Sequence, residues 1–142
     1  MPTTRPSIRA RIHAPVPWPV AALATLFVGT GILHLVIPET YARIVPRWLP
    51  HPTSLVVVSG GALIAGGVGL AAPRTRRAAA AGLVVLLVAM TPANVEMLRQ
   101  ARAARYSAAW QAALWLRLPL QAALIWGVHV AGRPRPRTRR AA

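Results

Sequence analysis

Four stretches of the chain, at about 20–37, 55–72, 78–98 and 110–131, are almost continuously apolar, and the joints between them are polar and rich in proline. A bilayer's hydrocarbon core takes roughly 20 apolar residues per helix, so each stretch is predicted to be a membrane-crossing helix. The helices of a soluble bundle need a polar face along their length, and the second stretch, LVVVSGGALIAGGVGLAA, has almost none. The expected fold is therefore all-α, an integral membrane four-helix bundle over residues 20–131. A basic, proline-rich segment (1–19) precedes it and a basic tail (132–142) follows. Pro15, Pro17 and Pro19 stand before the first span, Pro38 follows it and Pro73 closes the second, where a residue without an amide hydrogen costs a helix least. Arginines precede the first span as in a signal peptide, but its apolar run is long and no small-x-small site follows, so it is expected to be retained.

Within the second span Ser59, Ala62, Gly66 and Gly69 fall on one helical face, the pattern that lets a neighbouring backbone approach closely in lipid. The connection 38–52, PETYARIVPRWLPHP, mixes Tyr41, Ile44, Val45, Trp48 and Leu49 with Arg43 and Arg47. It is expected to lie along the interface as an aromatic anchor, with Pro46 preventing a continuous helix.

Charge then gives direction. The chain has a net charge of +15 from 17 arginines and no lysine, against two acids, Glu39 and Glu96. Such an excess first suggests nucleic acid. Sixteen of the arginines, however, lie outside the apolar stretches, the placement of charges that flank membrane spans. The bilayer is thus the expected partner, with no specific nucleic acid, and the tail GRPRPRTRRAA is expected to be extended and drawn to anionic lipid. Eleven arginines fall on the side of the two ends and the 73–77 connection, and five on the other. This predicts both termini in the cytoplasm and a multi-pass protein of the bacterial cytoplasmic membrane, with the three arginines of connection 99–109 running against the bias. With no cysteine, disulfides and thiolate chemistry are excluded.

The seventeenth arginine, Arg117, lies inside the fourth span, in LRLPLQ. An arginine at mid-membrane costs about 2.5–3.5 kcal/mol on insertion scales, so it needs a partner or an escape. Counting about 1.5 Å of rise per residue places His34, Asn94, Glu96, Arg117 and Gln121 in the outer half of the bundle, with Pro92 and Pro119 as helix kinks beside them. The two prolines free the carbonyls of Val88 and Trp115, for which the Arg117 guanidinium or the Asn94 amide are expected donors; Arg117 and Gln121 are expected to supply polar groups that mend the helix bonding broken at Pro119 and that reach Glu96. Three readings of the cluster remain open. It is a structural ion pair that fixes helix order, a polar pocket where His34 exchanges protons and Arg117 or Asn94 binds a carbonyl headgroup such as a quinone's, or an interface with a partner subunit.

Catalytic chemistry finds no foothold. His13, His34, His51 and His129 lie at different depths without paired spacing, which argues against a metal site. There is no Gly-x-Ser-x-Gly and no phosphate loop ending in Gly-Lys, so no catalytic residue is assigned. Proton pumping ordinarily uses several intramembrane carboxylates, and here at most one is available.

The stretches GILHLVIPETYARIVPRWLPHP (31–52), SGGALIAGGVGLAAPRTRRAAAAGL (59–83), TPANVEML (91–98) and WLRLPLQAALIWG (115–127) resemble, in this order, the DoxX-like family of small bacterial membrane proteins. The resemblance covers roughly residues 25–130 and implies a four-helix membrane protein. Some members of the wider family are membrane subunits of thiosulfate:quinone oxidoreductase, and others assemble with superoxide dismutase and a sulfurtransferase. The resemblance thus implies a noncatalytic or accessory subunit of a membrane redox complex, with quinone as the cofactor it would serve. A quinone-interacting oxidoreductase component is the alternative, and a small-molecule transporter acting as a homo-oligomer the third reading. The pattern SG-x-x-E-I associated with relatives would put an acid at position 63, where this chain has Leu63. The residues matching family motifs, His34, Pro38, Tyr41, Pro46, Trp48, Asn94, Arg117, Pro119 and Gln121, also read as a fold signature.

Overall fold

The computed structural model describes residues 16–133; the basic segment ahead of them and the tail beyond lie outside the described residues. Six helices are present: α1 (Trp18–Val36), α2 (Pro38–Ala42), α3 (Pro52–Ala71), α4 (Arg76–Ala89), α5 (Thr91–Ala103) and α6 (Ala108–Ala131). There is no strand among the described residues. Helices α4 and α5 form one long element, Arg76–Ala103, interrupted at Met90. With α1, α3 and α6 it makes four helices long and apolar enough to cross a membrane. Large apolar side chains point outward all round, among them Val58, Val68, Val85, Leu116 and Trp126. An apolar exterior of this extent suits lipid and not water, and the chain has the build of a membrane protein.

Proline starts helices here as well as stopping them. Pro19, Pro38, Pro52 and Pro92 each stand in the first two positions of α1, α2, α3 and α5, where the missing amide hydrogen has no intrahelical partner to lose and φ is already helical. At the other end of α3 the exposed carbonyls are capped by side chains. Arg76 donates through Nε to the Leu70 carbonyl (2.7 Å) and through Nη2 to that of Ala71 (3.3 Å), and the Thr75 hydroxyl donates to that of Gly69 (2.9 Å). Helix α5 closes with the Tyr106 amide bonded to the Ala101 carbonyl (3.1 Å) and the Arg105 amide to that of Arg102 (3.1 Å). This is a Schellman closure, and it holds Arg105 in the left-handed region (φ 52°), a position glycine usually fills.

Helix α1 packs along α3, α3 along α4, and α6 along both α4 and α5, whereas α1 and α6 meet only marginally. The cause lies in glycines. A Cβ on Gly31 would stand 2.6 Å from the Gly60 carbonyl oxygen, and one on Gly67 would stand 2.8 Å from that of Ala24, so α1 and α3 touch backbone to backbone. The face expected to make the close contact meets α4 instead, with Gly66 against Leu83 and Gly69 against Ala79. Ser59 and Ala62, predicted on that face, line a cavity above it. Helix α3 is thus thin on two sides. The core fills between these helices with Val20, Phe27, Leu63, Leu70, Leu83, Leu87 and Val128, and a smaller cluster of Leu98, Ala101 and Leu114 joins α5 to α6.

The 38–52 connection folds back over the bundle. Tyr41, Ile44, Val45 and Leu49 are half-buried and Pro46 is buried, while Arg43, Arg47 and Trp48 are exposed. Gln100 of α5 donates to the Arg43 carbonyl (2.9 Å) and Thr53 to Glu39 (3.3 Å). The segment is a cap on one end of the bundle, and of its aromatics only Trp48 faces outward as an anchor would.

Gly60→Ala brings a Cβ to 2.8 Å from the Cβ of His34 and 3.0 Å from the Gly31 carbonyl oxygen, whereas Gly61→Ala meets nothing within 4 Å. Denaturation followed in detergent should show Gly60→Ala destabilised by about 1–3 kcal/mol. Gly61→Ala should be neutral or more stable by up to about 1 kcal/mol, helix propensity being its main effect.

Candidate functional site

The five polar residues expected to share the bundle's outer half separate into three groups. Gln121 of α6, 7% exposed, reaches across to the break between α4 and α5. Its Nε2 donates to the Leu87 carbonyl (2.6 Å) and to the Thr91 hydroxyl (3.0 Å), and its Oε1 accepts from Nδ2 of Asn94. The Thr91 hydroxyl also donates to the Leu87 carbonyl (3.3 Å). An exposed carbonyl in an apolar interior must find a donor or cost several kcal/mol. Here the donor is Gln121 and the carbonyl is Leu87's. No side chain among the described residues donates to the carbonyls of Val88 or Trp115, the two expected to need mending. Pro92 stands at the start of α5, where it opens a helix, and α6 passes through Pro119 as one helix.

Glu96 stands apart from the rest. It pairs with Arg99 one turn on (3.6 Å) and accepts from Gln100 (3.4 Å), both near the surface. The expected ion pair between Glu96 and Arg117 does not form. The two residues were matched by depth alone, and depth along a helix says nothing about the direction a side chain takes round it.

His34 and Arg117 are the third group, and they face a cavity of about 300 Å³. Its deep wall is Phe27 and His34 of α1, Leu63 of α3 and Leu87 of α4. Leu26 of α1 and Leu120 of α6, both largely exposed, frame its mouth in the seam where α1 and α6 part. His34 is 3% exposed and Nδ1 lies 2.8 Å from the Thr30 carbonyl. Since a carbonyl oxygen only accepts, Nδ1 carries the hydrogen, and the neutral ring's Nε2 is left as an acceptor. Its ring stacks on Tyr41, with centroids 4.0 Å apart at 20°, so the cap helix α2 fixes the orientation of the imidazole. Beyond this pair lies a second cavity of about 360 Å³, between the 38–52 cap, α3 and α4, and lined also by His34 and Tyr41. Arg117 has no hydrogen bond or ion pair among the described residues, unlike Arg102, whose guanidinium lies 4.8 Å from the Trp115 ring. The cavity is therefore lined by one cationic donor, Arg117, and by His34 with its free ring nitrogen, in a mainly apolar chamber that Thr30 and Tyr41 also border. Asn94 and Gln121 also border it, but their amides are mostly committed to each other and to the break.

Residues 23–131 match the family described as a domain of unknown function, DUF8561. The chain belongs to the DUF8561 family. The match runs from the second turn of α1 to the end of α6 and includes all five polar residues. No curated protein and no solved structure matches the chain.

Gln121, expected to mend helix bonding broken at Pro119, donates instead at the break between α4 and α5, a place the sequence of this DUF8561 protein does not mark because the acceptor is a backbone carbonyl. Only the pairing of Pro92 with a preceding Thr91 hinted that the helix would break there. His34 was visible as a polar residue in an apolar span. Tyr41, which orients it, was read as an interfacial anchor and is the functional-site residue that sequence reasoning misplaced. Leu63 occupies the cavity wall at 2% exposure.

Gln121→Leu leaves the Asn94 amide without its partner and the Leu87 carbonyl with the Thr91 hydroxyl alone, and unfolding in detergent should register a loss of about 1–3 kcal/mol. Glu96→Gln and Arg117→Gln should combine additively to within about 0.5 kcal/mol in a double-variant cycle; a larger coupling would show that the two charges do meet.

Proposed function

We propose that this DUF8561 protein is a DoxX-like, four-span protein of the bacterial cytoplasmic membrane with both termini in the cytoplasm. In this reading it is an accessory subunit of a redox complex and holds a quinone-class ligand in the cavity between α1 and α6. The sequence resemblance and the arginine bias support the setting. The observation that carries the ligand is the pairing of Arg117 with Nε2 of His34 on an apolar chamber whose mouth lies in the α1–α6 seam. A quinone carbonyl accepts from the guanidinium, a quinol hydroxyl donates to the imidazole nitrogen, and the ring and tail satisfy the apolar walls. The volume of about 300 Å³ is at the small end for such sites, enough for a headgroup with its tail leaving through the mouth.

Leucine at position 63 removes the carboxylate that relatives' pattern expects there, so this chamber is equipped to bind and orient and has no acid to shuttle protons. That favours an accessory role over catalysis by the chain alone, because the redox centre must then come from a partner.

Protein purified in mild detergent should carry an extractable quinone detectable by mass spectrometry, together with redox-active partner chains. Arg117→Gln should lower quinone retention about tenfold, the effect of losing one charged hydrogen bond, while leaving the fold intact. Preparations that hold neither quinone nor a redox partner would overturn the reading.

A further inference from the structure

The opposite end of the same seam holds a larger chamber, of about 820 Å³, and it has a different chemistry. Trp18 and Trp126 flank it, Leu23 and Gly127 form its floor, and Arg76 and Arg133 stand on its rim. Arg76 belongs to α4, and Arg133 is the second residue beyond α6. They are drawn to one rim because Gly132 lets the end of α6 touch α4, a Cβ there standing 2.6 Å from that of Ala80, one turn after Arg76. Two guanidinium groups on the rim of one apolar chamber favour an anion as its occupant. Neither acidic side chain supplies that anion. The chain's two acids are Glu39 and Glu96, both engaged at the far end of the bundle, with Thr53 and with Arg99. Arg76 is also held ready. Its Nε and Nη2 are tied to the end of α3, which fixes the plane of the guanidinium and leaves its Nη1 hydrogens to donate elsewhere.

The apolar part of the chamber is suited to a hydrocarbon chain. It runs along α1 from Trp18 to Leu26, about 12 Å at the usual helical rise. A Cβ on Gly127 would have only Leu23 Cδ1 near it, at 3.8 Å, so the floor is open. Leu26 borders both this chamber and the one beneath His34, making the seam continuous. Exposed tryptophans at the mouth sit where indole rings favour the membrane–water boundary.

From this geometry we infer that the α1–α6 seam at the Trp18 end is a binding site for one anionic phospholipid. The phosphate lies between Arg76 and Arg133, and an acyl chain lies over Gly127 toward Leu26. The site does not depend on the quinone reading, since it uses neither His34 nor Arg117.

Native mass spectrometry of the full chain in detergent, titrated with phosphatidylglycerol, phosphatidylcholine or inorganic phosphate, tests it. One phosphatidylglycerol should be retained in preference to phosphatidylcholine, and inorganic phosphate at the same concentration should not displace it. Arg133→Gln should weaken retention about fivefold, as expected for one arginine at a lipid headgroup. Gly127→Leu, which fills the floor and leaves every charge in place, should weaken it at least as much. Arg105→Gln, at the opposite end, should change nothing. The inference is overturned if the two lipids bind equally, if free phosphate competes, if either Arg133→Gln or Gly127→Leu retains lipid like the parent, or if Arg105→Gln loses it equally.

Discussion

The arrangement of this protein follows from how closely α1 and α3 approach. With Gly31 against the Gly60 carbonyl and Gly67 against that of Ala24, the two helices touch along their backbones and gain contact area that side chains would otherwise hold apart. In lipid, where packing takes the place of hydrophobic exclusion as the force between helices, that contact determines which neighbour α1 chooses. Having chosen α3, it cannot also close on α6, which is held across the bundle by α4. The seam between α1 and α6 stays open, and both chambers lie along it.

The second constraint is the backbone itself. The long element from Arg76 to Ala103 is interrupted at Met90, and a helix interrupted in an apolar interior exposes a carbonyl that the Thr91 hydroxyl reaches only at 3.3 Å. Gln121 answers from another helix, and in doing so it fastens α6 to the break. The polar residues of the bundle thus divide by task. Gln121, Asn94 and Thr91 hold the helix pair together, and His34 and Arg117 keep a donor and an acceptor turned toward the seam.

Much of this was readable in the chain. Run length and hydropathy gave four spans whose limits differ from the observed helices by a few residues, because those lengths are imposed by the thickness of the solvent and not by contacts. The prolines marked the joints correctly, although Pro19, Pro38, Pro52 and Pro92 proved to begin helices. The polar residues were also found, since a hydrophilic side chain in an apolar run stands out. Their partners were not. Counting residues gives height, and a contact needs azimuth as well; the turn of α5 after Met90 sends Glu96 to Arg99 while Arg117 is directed to the chamber. Gln121 was legible as a group that mends a broken helix, but its acceptor was not, because backbone acceptors carry no residue label. The two-faced packing of α3 was half seen: Gly66 and Gly69 share a face and make a close contact as expected, but the backbone-to-backbone contact uses Gly60 and Gly67, and glycine spacing cannot tell which neighbour will lie on which side.

Leu26 gives the open seam a further meaning. It is a single partition shared by two rooms, one ending at a histidine and the other at a pair of arginines. Its isobutyl group sets how far an occupant of either room extends toward the other. The volumes of the two are therefore not independent: a smaller residue at position 26 would join the rooms into one corridor, and a bulkier one would take space from both.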